Sequence, residues 1–314
     1  MSILSLFPNP TLPHHTSHAP SHTQSLFPSS SMTFLKLHHH LRHLSAASVR
    51  RLSISAAAVR QDTNLWTTAP LITVSPAAES LFHVSIDVSD YPDLATSHTK
   101  PGQYLQLRVP DLEKPSFLAI ASPPSIAATK GVFEFLVKSI SGSTAELLCG
   151  LHKGDVVELS QVMGKGFDLD QISPPETYQT VVIFATGSGI SPIRSLIEAG
   201  FCADKRSDVR LYYGARNLKR MAYQDRFENW ASTGVKVVPV LSQPDDAWTG
   251  EHGYVQAAFA RAKNIFSPQT TGAVLCGQKQ MAEQLQCSDK IWLCTDTNLL
   301  LSLGVQVGGS EKDP

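Results

Sequence analysis

Hydrophobic and polar residues follow two different rhythms along the chain, and the change falls near residue 174. Between residues 65 and 160, short apolar runs rich in β-branched and aromatic residues alternate with turn residues. These runs are expected to be strands, at 67–74, 81–88, 103–109, 117–122, 132–138 and 155–159. One helix, over 144–151, is expected between the fifth and sixth strands. Short strands at this spacing predict a six-stranded antiparallel β-barrel.

After residue 174 the pattern changes to strand followed by helix. Strands are expected at 180–185, 209–213, 235–241 and 273–276, alternating with helices at 190–199, 219–231, 255–262 and one opening near Lys279. This alternation predicts a doubly wound parallel α/β sheet. The turn-rich segment 173–176 contains two prolines and separates the two patterns. We therefore assign residues 62–173 to a barrel domain and 174–314 to an α/β domain.

The first 61 residues have a composition of their own. They contain five Lys or Arg, 12 Ser and eight His but no Asp or Glu. A basic, serine-rich segment without acids is typical of an organelle transit peptide. The small residues at 55–58 favour a chloroplast or other plastid, whereas Arg50 and Arg51 leave a mitochondrion open. A disordered leader without an address is the remaining alternative.

The overall composition argues against several classes of protein. The net charge of the 314 residues is −1, and no block of Lys and Arg occurs outside the leader, so nucleic-acid binding is not expected. No apolar run approaches the roughly 18 residues that span a bilayer. The five cysteines include no Cys-x-x-Cys pair, so neither a metal site nor an iron–sulfur cluster is expected.

The most informative motif is Thr-Gly-Ser-Gly-Ile-Ser-Pro at 186–192, which directly follows an apolar strand. Gly187 and Gly189, on either side of Ser188, allow backbone to approach a phosphate, and the following helix start offers free amides and a positive dipole. Pro192 suits the first helical turn, where its missing N–H is not needed. A glycine-rich turn that only reverses the chain is the alternative.

Two further glycine segments lie in the barrel half. Gly142, Ser143 and Thr144 precede the expected helix and form either a second phosphate cradle or a simple N-cap. The segment Met-Gly-Lys-Gly-Phe at 163–167 is either a plain loop or a place where backbone approaches a cofactor.

The ends of two α/β strands carry residues suited to a nicotinamide nucleotide. Cys276 and Gly277 end the last strand, where a thiol can touch a nicotinamide, although a buried small apolar residue is the usual fate of Cys. Arg216, Lys219 and Arg220 follow the second strand, where such enzymes distinguish a ribose hydroxyl from a 2′-phosphate. These cations favour NADPH over NADH, and a solvated basic helix start is the alternative.

The order of these features resembles the ferredoxin-NADP reductase superfamily over about residues 65–285. The resemblance includes the Gly-Ser-Thr cradle, the Gly-x-Gly-Phe loop, the 186–192 motif, Tyr-Gly-Ala-Arg at 213–216 and Cys-Gly-x-x-x-Met at 276–281. Residues 114–124 (KPSFLAIASPP) look like the plant fruit-protein branch first named from kiwifruit. The resemblance implies an oxidoreductase whose barrel binds FAD and whose α/β domain binds NADPH or NADH. Hydride would pass between nicotinamide and flavin, and electrons would pass to an acceptor such as a separate electron-carrier protein.

The same resemblance assigns site residues by position. It implies that the FAD pyrophosphate is held by Gly142, Ser143 and Thr144, with Ser122 remaining from the flavin signature. The NAD(P) pyrophosphate would be held by Gly187, Ser188, Gly189 and Pro192, the adenosine end by Arg216 and Tyr223, and the nicotinamide by Cys276 and Gly277.

The chain also departs from the family. The Arg-x-Tyr-Ser flavin signature is replaced, with Ser116, Leu118 and Ala119 at its Arg, Tyr and Ser positions. This replacement motivates an alternative function, a catalytically degenerate flavin- or nucleotide-binding module with a regulatory or assembly role. Residues 286–314 lack the family's usual ending, and we hypothesise a frame change or alternative transcript from residue 286.

Overall fold

The structure is a computed structural model and describes residues 66–112, 114–262, 265 and 267–286. The predicted leader at 1–61, with its predicted address, lies outside the described residues. So do residues 287–314, on which the predicted atypical tail falls.

The first half of the described chain is a six-stranded antiparallel sheet. Its strands are β1 (Thr67–Ala78), β2 (Leu81–Asp87), β3 (Tyr104–Arg108), β4 (Ser116–Ala119), β5 (Val132–Lys138) and β6 (Val156–Leu159). They lie in the order β4-β3-β6-β1-β2-β5. Alternation places Leu105 and Leu107 of β3 in the core with 0% exposure, while Gln106 between them is partly exposed. The predicted antiparallel architecture is confirmed.

The predicted barrel, however, is not closed. Only an isolated bridge between Ile120 and Phe135 joins the two edge strands, β4 and β5, and no continuous ladder forms there. The physical reason is that β4 is only four residues long and the chain then reaches Pro123 and Pro124. Proline has no N–H to donate, so the ladder cannot continue, and a helix begins instead. This helix, α2 (Pro124–Lys130), and α1 (Pro92–Ser97) are absent from the sequence prediction, whereas α3 (Thr144–Cys149) corresponds to the predicted 144–151.

The second half is a five-stranded parallel sheet in the order β10-β9-β8-β7-β11, and the predicted doubly wound fold is confirmed. The strands are β7 (Thr180–Thr186), β8 (Asp208–Ala215), β9 (Lys236–Leu241), β10 (Glu251–His252) and β11 (Thr271–Cys276). The helices are α4 (Ile190–Ala199), α5 (Phe227–Ser232), α6 (Val255–Ala262) and α7 (Lys279–Gln286).

The interior strand β7, which lies between β8 and β11, explains the layered packing. Its residues Val181 and Ile183 pack in one apolar cluster together with α4, whereas Val182 and Phe184 pack in another with α6 and α7. A strand covered on both faces must be apolar throughout, which is why β7 is a continuous hydrophobic run.

The predicted helix over 219–231 is wrong in its first two-thirds. Short 3₁₀ turns occupy Leu218–Arg220 and Gln224–Arg226, and α5 begins only at Phe227. Tyr223 adopts a left-handed backbone with φ +62°, which a right-handed helix cannot accommodate.

Barrel and α/β residues share one buried cluster. Leu81 of β2 and Leu136 of β5 pack with Ile183 of β7, and so do Phe167 and Ile172 from the connecting segment. The two sheets are therefore joined by apolar packing. The domain boundary near 174 stays a prediction. In the described part of the chain, no helix has the length and apolar character needed to cross a membrane.

Candidate functional site

The loops after β7 and β11 cross each other at the carboxyl edge of the parallel sheet. β7 has β8 on one side and β11 on the other, so this is the switch point where open α/β sheets bind ligands. Gln278 N donates to Thr186 Oγ1 at 3.0 Å. A Cβ at Gly189 would lie 2.5 Å from the Cys276 carbonyl oxygen, and one at Gly277 would lie 2.1 Å from Thr186 Oγ1. Both glycines are therefore required by the crossing.

Gly187 has different surroundings. Its backbone is left-handed, with φ +54°, and no atom lies within 4 Å of the position that its Cβ would take. Gly187 and Ser188 are partly exposed in the 3₁₀ turn Gly187–Gly189, and the ten-residue helix α4 follows directly. The turn therefore offers open space at a helix N-terminus, where backbone amides and the helix dipole favour an anion.

Pro192 and Cys276 flank this turn. Pro192 is buried in the first turn of α4, so it shapes the helix start and presents no surface to a ligand. Cys276 is partly buried at the end of β11, and burial raises the pKa of its thiol to about 12. The sulfur therefore stays protonated at neutral pH, which suits an apolar contact and not a nucleophile.

The first turns of α4 are bonded to the end of β4. Ser191 Oγ donates to the Ala119 carbonyl oxygen at 3.1 Å, and Ser195 Oγ donates to that of Ser122 at 2.8 Å. The turn at 187–189 therefore begins beside the strand that carries the positions of the flavin signature.

Two predicted site residues, Ser122 and Tyr223, are buried. Ser122 is 0% exposed, and its hydroxyl accepts from Glu134 N at 3.2 Å. Tyr223 is 2% exposed, with its ring 5.0 Å from that of His83 and below the guanidinium groups of Arg194 and Arg226. Burial raises the pKa of Tyr223 to about 12, so its phenol is neutral. Both residues belong to the contact between the sheets.

The turn at 142–144 has features of both interpretations made from the sequence, a phosphate cradle and an N-cap. Gly142 has φ +74° and no atom within 4 Å of its Cβ position, which leaves room on that side. Ser143 is nevertheless an N-cap, since its Oγ accepts from Glu146 N at 3.3 Å, and the Glu146 carboxylate accepts from Gly142 N at 2.7 Å. Thr144 Oγ1 donates to the carbonyl oxygen of Lys114 at 2.6 Å, so an exposed lysine borders this turn.

The glycine loop between β6 and β7 has a packing role. A Cβ at Gly164 would lie 2.7 Å from the Tyr104 ring, and one at Gly166 would lie 2.6 Å from the Cβ of Lys100. Gln103 Nε2 also donates to the Gly164 carbonyl oxygen at 3.1 Å. This geometry agrees with the plain-loop interpretation of 163–167.

The basic segment after β8 is only partly available to a ligand. Arg216 and Lys219 are exposed, whereas Arg220 pairs with Glu79 of the β1–β2 turn, with Nη2 and Oε1 2.6 Å apart. Glu79 N also donates to the Lys219 carbonyl oxygen at 2.7 Å. The charge of Arg220 is therefore balanced by the Glu79 carboxylate of the barrel domain.

Sequence reasoning missed a group of charged residues between the two sheets, formed by Glu134, Arg194, Glu198 and Arg226. The spacing of Arg194 and Glu198, four apart on one helix, is the only local signal of this group. Within the described ranges, no group of three or more His, Cys, Asp or Glu is arranged to hold a metal ion.

The chain is similar to known proteins over most of its length. Residues 183–286 match the family described as "Oxidoreductase NAD-binding domain". The chain is 50% identical over 283 residues to the fruit protein pKIWI502 of Actinidia deliciosa, covering 88% of each. It is 29% identical over 222 residues to the phenol 2-monooxygenase reductase component DmpP of Pseudomonas sp. strain CF600, covering 68% of this chain and 57% of that one.

The fold is also that of a solved structure. A ferredoxin NADP+ reductase from Neisseria gonorrhoeae with bound FAD and NADP superposes with a TM-score of 0.55 at 19% identity, covering 69% of this chain and 87% of that one. The chain thus spans most of the kiwifruit protein but little more than half of DmpP. The 50% identity over 88% of both chains shows that the chain belongs to the family of the kiwifruit fruit protein, and its two-sheet fold and its NAD-binding domain are those of the ferredoxin-NADP reductase superfamily.

Proposed function

We propose that this protein is an FAD-dependent NAD(P)H oxidoreductase that passes hydride between nicotinamide and flavin. The observation that carries the proposal is the hydrogen bond from Ser191 Oγ to the Ala119 carbonyl oxygen at 3.1 Å. It holds the start of α4 against the end of β4. Hydride transfer requires donor and acceptor at near contact, so the protein's main task is to bring two cofactor sites together. The electrons would leave to a separate electron-carrier protein.

On the nucleotide side of this site, several residues suit a bound NAD(P)H. Gly187, Ser188 and the amides opening α4 would hold the pyrophosphate, because this turn has free space and a positive helix end. Gly189 and Gly277 would keep the two loops close enough to line one crevice. Cys276, as a neutral thiol, would contact the nicotinamide.

The flavin side offers different groups from those of the usual signature. Bound FAD would supply the ability to take up a hydride and release single electrons. The open turn at Gly142 has room for a phosphate, and Lys114 is the cation that borders it. Leu118 packs against the barrel core, whereas Phe117 is 44% exposed and is the aromatic side chain that β4 presents outward. These residues would take over from the missing Arg and Tyr.

A turnover assay tests the proposed function. The full chain, loaded with FAD and desalted, should oxidise NADPH or NADH when ferricyanide is supplied as a one-electron acceptor, and the FAD-free chain should not. An FAD-loaded chain that oxidises neither nucleotide would contradict the enzyme and would favour the degenerate binding module.

The choice between NADPH and NADH is tested at Arg216. If its guanidinium contacts a 2′-phosphate, Arg216→Ala should weaken NADPH binding about tenfold to a hundredfold while changing NADH binding little, since a charged hydrogen bond contributes about 1.5–3 kcal/mol. Titration calorimetry with both nucleotides measures this difference. Equal losses for both nucleotides would contradict the preference for NADPH.

We also propose that residues 1–61 direct the protein to a plastid, on the basis of their acid-free, serine-rich composition. A fluorescent protein fused to these residues should enter chloroplasts in leaf cells, while a fusion to residues 62–314 should not. Mitochondrial fluorescence would favour the alternative address, and diffuse fluorescence would contradict both.

A further inference from the structure

A chain of alternating charges crosses the contact between the two sheets. Glu134 lies on β5 and is ion-paired with Nη2 of Arg194, which lies on α4. The Nε of Arg194 is 3.1 Å from both carboxylate oxygens of Glu198, one helical turn further along. Glu198 Oε1 in turn accepts from Arg226 Nη1 at 2.9 Å. We refer to these residues as the interface charge chain.

The interface charge chain is buried at its centre and partly exposed at both ends. The Arg194 side chain is 5% exposed and that of Glu198 16%, whereas that of Glu134 is 31% and that of Arg226 36% exposed. Burying charges costs desolvation free energy that roughly cancels their attraction, so such a network is weak evidence for stability. What a buried, directional network does contribute is a defined relative geometry of the elements it joins. The joined elements here are β5 and α4.

Tyr223 packs against both arginines of the interface charge chain. Its ring centroid is 5.2 Å from the guanidinium carbon of Arg194 and 5.8 Å from that of Arg226. The left-handed backbone of Tyr223, with φ +62°, costs about 1–3 kcal/mol for a residue with a side chain. Such a conformation persists where the surrounding packing determines it, and this packing includes both arginines.

The interface charge chain and the serine contacts lie on the same face of α4. Ser191, Arg194, Ser195 and Glu198 are three or four residues apart, so they share one face of the helix. Ser191 donates to the backbone at the end of β4, Ser195 donates to the carbonyl oxygen of Ser122 just after that strand, and Arg194 pairs with β5. The N-terminus of this helix follows the turn at 187–189. A change in the tilt of α4 would therefore move that turn relative to β4.

We propose that Glu134 and Arg194 are positioning residues for hydride transfer, because their ion pair fixes α4 on the barrel at the angle that brings nicotinamide and flavin into contact. This inference rests on the proposed function. Among the described residues, the hydrogen bonds and ion pairs of these two side chains do not involve the turn at 187–189 or the crossing of the two loops, so the ion pair acts on geometry and not on cofactor affinity.

Glu134→Gln tests this role with little risk to folding. The amide has nearly the shape of the carboxylate, and Arg194 keeps Glu198 as a partner, so no buried charge is left unpaired. The matched control is Glu158→Gln, which weakens the Arg108–Glu158 ion pair of 2.6 Å inside the antiparallel sheet. Glu158 is 21% exposed and pairs within one sheet, so its loss leaves the contact between the sheets intact.

The first readout is the rate of flavin bleaching when saturating NADPH is mixed anaerobically with the FAD-loaded full chain. In E134Q the rate should fall by about tenfold to a hundredfold, as expected for misplacement of reacting groups by about 1 Å. The Kd for NADPH and the bound flavin should change less than about twofold, and E158Q should resemble the wild type. If E134Q does not fold, Ser195→Ala takes its place. It must lower the rate of flavin bleaching in the same way, while the Kd for NADPH changes less than about twofold.

The second readout needs no cofactor. Amides of residues 191–198 and 119–122 should exchange hydrogen with solvent faster in E134Q than in the wild-type chain, while E158Q leaves them unchanged. Faster exchange with an unchanged bleaching rate would make the ion pair structural and would overturn the positioning role. Wild-type rate and exchange in E134Q would overturn the inference alone. A wild-type chain that takes up no FAD would overturn the proposed function and this inference together, while the exchange data still report whether Glu134 holds α4.

Discussion

Two glycines of the 186–192 motif look alike in the sequence but meet opposite surroundings in the structure. Gly187 faces open space, whereas a Cβ at Gly189 would lie 2.5 Å from the backbone of β11. The sequence predicted both glycines because a strand, a glycine pair and a helix follow one another. It could not separate their roles, because the loop that crowds Gly189 comes almost 90 residues later and leaves no local signal.

We therefore expect different losses from two alanine substitutions. Gly189→Ala should lower the free energy of unfolding by about 1–3 kcal/mol, because the crossing loop must shift. Gly187→Ala should cost only about 1–2 kcal/mol of backbone strain and should mainly weaken NAD(P)H binding, because its methyl fills the open side. Urea unfolding and nucleotide titration of both variants measure the two effects. Equal profiles in both assays would contradict this division of roles.

A buried histidine makes the stability of the fold depend on pH. His98 is 2% exposed, with its ring 6.0 Å from that of Phe133, and burial lowers its pKa to about 4. The unfolded chain, with an ordinary histidine pKa near 6.5, takes up the proton first. The contribution of neutral His98 to the free energy of unfolding is therefore fully present above about pH 6.5 and is lost as the pH falls toward 4.

His98→Gln should remove this dependence, because glutamine does not titrate. Between about pH 7 and pH 4, the wild-type chain should lose about 3 kcal/mol more unfolding free energy than the variant. Urea unfolding of both proteins at several pH values in this range gives the comparison. Parallel pH profiles would show that His98 does not titrate as its burial implies.

At the scale of elements, sequence prediction succeeded where the signals are local. The bounds of β5, α4 and α6 were predicted to the residue, because their apolar periodicity and end signals lie within the element. The prediction of a helix over 219–231 failed because the backbone is left-handed at Tyr223, whose ring packs against Arg194 of α4, a residue outside that segment. No residue type within that segment indicates that the helix is interrupted there.

The capping of α3 leads to a prediction about the flavin site. The Glu146 carboxylate bonds to Gly142 N and adds a negative charge at the turn where a flavin pyrophosphate would lie. Glu146→Gln keeps an acceptor for Gly142 N but removes the repulsion, which is about 1 kcal/mol between nearby charges in water. FAD affinity should therefore rise severalfold, as measured by flavin fluorescence quenching. Glu228→Gln, in the first turn of α5, is the control, and an unchanged affinity in E146Q would place the pyrophosphate elsewhere.

At the scale of the whole molecule, the sequence predicted an antiparallel sheet followed by a doubly wound parallel sheet. It did not predict that the barrel stays open or that Leu81 and Leu136 of the barrel join the α/β core. Nor could it pair Glu134 with Arg194, because those residues are 60 positions apart and each has the pattern of an ordinary surface charge. Under the proposed function, long-range contacts of this kind would set how the two cofactor sites face each other.

The most direct test of the proposed function is the visible absorption spectrum of the full chain, incubated with FAD, desalted and titrated anaerobically with NADPH. We expect flavin bands at one FAD per chain that bleach as NADPH is added, because the two proposed sites would meet where α4 packs against β4. A chain that stays colourless after desalting, or whose flavin bands persist through the titration, would contradict the proposed function.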